Sequence, residues 1–126
     1  MQGEDARFVR LAGVPTSLYV RLHAHVDDLL RELALLDVAE GYGLGPEWDR
    51  AREQAETAER AGREHVDLEL RLPADAADRL GGLFEQADAL ARAGLLLTTE
   101  APPELRELRD RLVAELSRRL QDGHSP

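Results

Sequence analysis

The chain has 126 residues, 43% of them hydrophobic and 33% charged, which suits one domain with a core of its own and reads as globular rather than disordered. Acidic residues outnumber basic ones 25 to 16, and the formal net charge of −9 argues against phosphate backbones and anionic lipid surfaces as partners. The lack of cysteine excludes disulfides, zinc–thiolate sites and thiol nucleophiles, and it suits a reducing compartment.

All the basic residues are arginine, and they are scattered. Only Arg106, Arg109, Arg111, Arg118 and Arg119 approach a cluster, and Glu107, Asp110 and Glu115 interleave them. Nucleic-acid binding is not expected. Met1-Gln2-Gly3-Glu4-Asp5 lacks the basic-then-apolar pattern of a secretory leader, and no apolar run approaches the roughly 20 residues that cross a bilayer. The expectation is a cytoplasmic protein with no membrane partner.

In chain order, residues 1–6 read as a frayed tail. Phe8-Val9-Arg10-Leu11-Ala12 reads as a strand stopped by Gly13 and Pro15. Thr16 is placed to cap a first helix, along which Leu18, Leu22, Val26, Leu29, Leu33 and Leu36 share one face. The segment from Glu40 to Gly45 is a loop, and Pro46 opens a second helix to about Ala61. That helix has a thin apolar face of Trp48, Ala51, Ala55 and Ala58, with Gly62 as its stop. Val66, Leu68, Leu70 and Leu72 alternate with Asp67, Glu69 and Arg71, the clearest strand signal in the chain. A third helix from about Asp75 turns Leu80, Leu83, Phe84, Ala87, Leu90 and Ala91 inward and ends at Gly94. Leu95-Leu96-Leu97 reads as a buried connector or a short extra strand. Pro102 and Pro103 open a fourth helix carrying Leu105, Leu108, Leu112, Leu116 and Leu120, and residues 122–126 are expected to be disordered.

This order suggests a repeat. Pro15 and Pro73 each follow a strand and precede a helix, 58 positions apart, and the same shift pairs Leu22 with Leu80 and Val26 with Phe84. It also sets Phe8, Ala12 and Val14 on Val66, Leu70 and Leu72. The expected fold is therefore a single mostly α (α+β) domain over residues 1–126. Its two β-α-α halves, 8–62 and 66–120, would be pseudo-twofold related, with four helices packed around a short two-stranded antiparallel ribbon. Such a ribbon needs helices over its apolar face, and its open edges could pair with a second copy in a homodimer.

Chemistry-bearing residues are sparse. His23 with Asp27 and His25 with Asp28 have spacings that let side chains meet on the first helix. They could contribute to a divalent-metal or small-ligand sensor, yet two ligands make half a site, and salt bridges within the fold are the plainer account. Gly41, Gly43 and Gly45 lack a phosphate-loop spacing, and the serines have no histidine at a recognisable motif spacing. No catalytic, cofactor-binding or metal residue is assigned. Trp48 on an alanine face and Tyr42 in a glycine loop are unusual places for large aromatics, which often anchor interfaces.

Three stretches together, Leu11-Ala12-Gly13-Val14-Pro15, His25 through Leu33, and Leu95 through Leu105, resemble a group of small actinobacterial proteins. That group is found with histidine-kinase-like ATP-binding anti-sigma regulators and STAS-domain partner-switching systems. The family pattern carries an aromatic where this chain has Leu33, and an aromatic-rich stretch where it has Arg118 and Arg119. The resemblance implies a regulatory role beside an ATP-binding anti-sigma-type regulator, without the ATPase's own nucleotide motifs. The expected function is a non-enzymatic protein-interaction module, with His25, Asp28, Arg31, Glu32, Tyr42 and Trp48 as candidate contact residues. The alternative is the metal or small-ligand sensor.

Overall fold

A computed structural model describes residues 6–36, 45–96 and 101–122. The elements run β1 (Arg7–Pro15), α1 (Thr16–Leu35), α2 (Pro46–Arg60), β2 (His65–Leu72), α3 (Ala76–Arg92) and α4 (Pro103–Asp122). The protein is mostly α with an α+β arrangement, as the sequence predicts. Tyr42 and Leu97, and the tails 1–5 and 123–126, lie outside the described residues.

The two strands pair antiparallel, Arg7 opposite Leu72 and Pro15 opposite His65. Val9, Leu11 and Val14 from β1 and Leu68, Leu70 and Leu72 from β2 bury on one face, where the helices pack. The alternation of β2 is what the sequence shows, because each apolar residue two positions on returns to the same side of the pleat.

β1 departs from expectation. It does not stop at Ala12 but continues to Pro15 through a bulge, where Ala12 and Gly13 together oppose Asp67. Gly13 takes φ 64°, a left-handed conformation that other residues adopt at a cost. The extra residue shifts the phase of the strand. Val9 and Leu11 face inward before the bulge and Val14 after it, while Phe8 and Ala12 are exposed. The alignment that set Phe8 and Ala12 on the inner residues Val66 and Leu70 is corrected by that phase shift.

The first helix also starts differently. Pro15 occupies the N-cap position and Thr16 is the first helical residue, with no side-chain cap. The Thr16 N–H instead donates to the Glu64 carbonyl at 2.9 Å, which fastens the start of α1 to the approach to β2. The buried face of α1 is Tyr19, Leu22, His23, Val26, Leu29 and Leu33. Leu18 is only half-buried and Leu36 is exposed, because the stripe is turned toward α2, where rings rather than leucines fill the gap.

α2 contributes small residues: Ala51, Ala55 and Ala58 are buried, which brings its axis close to α1 and to the edge of β2. Gly62 and Gly94, both at positive φ, end α2 and α3, with Arg63 N–H bonded back to the Ala58 carbonyl and Leu95 N–H to that of Leu90. Leu95, expected in a buried connector, is exposed just past this cap. α3 packs chiefly on α4, and α4 in turn on α1 and β1 through Leu105, Leu108, Leu112, Leu116 and Leu120. Among the described residues, no helix is long and apolar enough to cross a membrane.

Candidate functional site at the junction of α1 and α2

Helical spacing places Tyr19, His23 and Asp27 one above another on α1, facing the first turn of α2. His23 is 1% exposed, and its ring stacks on Trp48 with centroids 3.7 Å apart and planes at 16°. The Tyr19 ring is tilted at 59° to that of His23, with centroids 5.7 Å apart. Trp48 donates its indole N–H to Asp27 Oδ1 at 2.6 Å, and His23 Nε2 lies 3.0 Å from the Trp48 carbonyl oxygen. A carbonyl only accepts, so Nε2 carries a hydrogen in this contact. The other ring nitrogen, Nδ1, is buried without a hydrogen bond, although Asp27 Oδ2 stands 3.4 Å away.

Asp27 thus joins the two helices through Trp48 and sets a negative charge beside buried rings. Burial pushes the Tyr19 phenol above its ordinary pKa, and the Asp27 carboxylate adds to that shift. The phenol therefore stays protonated at neutral pH. The histidine, 1% exposed, is closed to a substrate. The arrangement is built to staple α1 to α2.

The predicted residues fall into three places. Trp48 belongs to this buried junction, which also takes in His23 and Asp27. His25 lies half-buried on the neighbouring face of α1; burial holds its imidazole below the ordinary value, Asp28 opposing and Arg109 of α4 adding to that shift. Asp28 and Arg31 form an exposed pair at 2.9 Å, and Glu32 is half-buried one residue on. Of the six, the five described residues, His25, Asp28, Arg31, Glu32 and Trp48, are therefore not gathered into one site, and Tyr42 lies outside the described residues. Among the described residues, no group of three or more histidine and carboxylate side chains is arranged to hold a metal ion.

Four further residues do work that the sequence reading missed. The Gln54 amide spans β2 on its outer edge, accepting from the Glu69 N–H and donating to the Glu69 carbonyl, both at 2.8 Å. Glu47 accepts from the Arg71 N–H at 2.7 Å. Arg111 of α4 donates to the carbonyls of Ala12 and Gly13 at the bulge. Arg109 lies over the Phe84 ring at 5.0 Å and pairs with Asp88 and Asp110, linking α3 to α4. None of these stands out by spacing along its own helix, since each is defined by a partner distant in sequence.

Beneath α3 lies an apolar cavity of about 60 Å³ lined by Tyr19, Val26, Trp48, Leu70, Phe84 and Leu112 among others. It is smaller than the roughly 150 Å³ engineered cavity known to admit benzene, and it is best described as a packing gap in the core. In comparisons with family models, curated proteins and solved structures, nothing matches this chain.

Proposed function

We propose that this protein is a non-enzymatic protein-interaction module, an accessory to a partner-switching circuit whose partner is an ATP-binding anti-sigma-type regulator. The observation that carries the reading is the burial of His23, 1% exposed, stacked on Trp48 with the tilted Tyr19 ring beside it. The histidine and aromatic side chains that could have furnished a reactive site are used to join helices. What α1 offers to solvent is a recognition surface: the Asp28–Arg31 pair and, one turn beyond, Leu35 at 83% exposure. An exposed apolar residue one turn from a charge pair suits a small docking patch.

The regulator encoded in the same genome, purified with and without ATP, is the probe. A complex that co-elutes with the chain in at least one nucleotide state, and that Arg31→Glu and Leu35→Asp each weaken at least tenfold without changing the fold, is the expected result. Failure to form a complex in either state removes the reading.

A further inference from the structure

The two edges of the β-ribbon are treated differently. On β2, the outward N–H and C=O of Glu69 are both taken by the Gln54 amide, and the N–H of Arg71 by Glu47. α2 thereby seals that edge against pairing.

β1 is sealed at one end only, by Arg111 on the carbonyls of Ala12 and Gly13. Because Arg10 faces Glu69 and Phe8 faces Arg71 in the register, and those β2 residues direct their backbone away from β1, Phe8 and Arg10 also point theirs away from β2. Among the described residues, the outward N–H and C=O of Phe8 and Arg10 have no hydrogen-bond partner. Phe8 is 62% exposed beside them.

The geometry points to a homodimer in which β1 pairs antiparallel with β1 of a second copy about a twofold axis at Val9, extending the ribbon to a four-stranded sheet. The open groups belong to the two residues that flank Val9, so the axis sets Phe8 of one copy opposite Arg10 of the other. All four groups then meet their counterparts, and the two strands exchange four hydrogen bonds with none left over. The same pairing lays the Phe8 ring beside the Arg10 guanidinium across the strands.

Charge favours the second copy over other occupants. The chain carries −9, yet β1 has no acidic residue, and its Arg10 is balanced by Asp67 at 2.6 Å and Glu69 at 3.9 Å. Two copies meet here without bringing acid against acid. The open edge is also short, ended by the bulge and Arg111. A free peptide would have to order itself for only a few backbone hydrogen bonds, whereas a folded copy presents its strand already ordered.

Light scattering over a wide concentration range tests this with the whole chain. The expected mass rises from 14.0 kDa toward twice that value. Amide exchange at Phe8 and Arg10 should slow at least tenfold from the dilute to the concentrated sample, while exposed amides elsewhere do not change. Phe8→Pro deletes an N–H that the β1–β2 ladder does not use, and it should leave a folded monomer. A monomer at every concentration overturns the proposal, as does a dimer whose Phe8 and Arg10 amides exchange as fast as in dilute solution. Should Phe8→Pro fail to fold, the exchange measurement on the unaltered chain decides the matter.

Discussion

Trp48 does two things at once: its ring stacks on His23, and its N–H donates to Asp27. Trp48→Phe keeps much of the stack and removes the donor. Because the acceptor is charged and partly buried, the loss should be about 1.5 kcal/mol in urea unfolding. Asp27→Asn should cost less in the Trp48→Phe background than in the unaltered chain, since the two residues act through one bond. His25 lends itself to titration. Its folded pKa is lowered chiefly by burial, so the unfolded chain binds the proton more readily. Stability should therefore fall as pH drops below about 6.5, the ordinary histidine value, and level off once the folded form is protonated. Asp67 acts with the same sign at lower pH. The Gly13 N–H at 2.9 Å, and then Arg10, hold its carboxyl below the ordinary value, and the stability it contributes is lost as pH falls through the folded value. His25→Gln should flatten the upper part of this profile alone, leaving the acid limb in place. An unchanged slope between neutral and mildly acid pH would show that His25 does not carry it.

The elements are where sequence and structure agree most closely, and where their differences are most instructive. β2 was legible because one side of it packs and the other does not, so polarity alternates residue by residue. The helices were legible through leucines and alanines at steps of three and four, and the ends of α2 and α3 through Gly62 and Gly94. β1 was not fully legible, because a bulge depends on which residue stands across the ribbon. Only the isolated Gly13 hinted at it. The contacts that make the helix layer specific, Gln54 to Glu69 and Arg111 to Ala12, join residues on different elements and leave no periodic trace. Two substitutions test them. Gly13→Ala meets no atom within 4 Å at the added Cβ, so its cost is conformational alone, about 1–2 kcal/mol, read as a lower midpoint in chemical unfolding. Gln54→Ala should cost about 1 kcal/mol, since water can replace part of the lost pairing, and it should speed exchange at the Glu69 amide more than at its neighbours.

Across the whole molecule, the helices are unequally bound. β1, β2, α1 and α2 form a knot in which each element touches two or more others, while α3 rests chiefly on α4 and has the apolar cavity beneath it. α3 is also weakened from within by adjacent glycines, Gly81 and Gly82, in the middle of its span. A glycine inside a helix costs up to about 1 kcal/mol relative to alanine. At Gly81 no packing requirement demands it, because a Cβ built there meets nothing within 4 Å. Gly81→Ala should therefore stabilise the helix by about 0.5–1 kcal/mol. How that gain appears distinguishes two views of the fold. If α3 unfolds together with the rest, the midpoint of global unfolding rises and every slow amide gains equally. If α3 opens on its own, amides from Ala76 to Arg92 slow while those of β2 and α2 keep their rates. Its sparse contacts outside α4 favour the second outcome. Equal protection gained in β2 and α3 would show instead that the salt bridge of Arg109 to Asp88 and its stacking on Phe84 suffice to bind α3 into one cooperative unit.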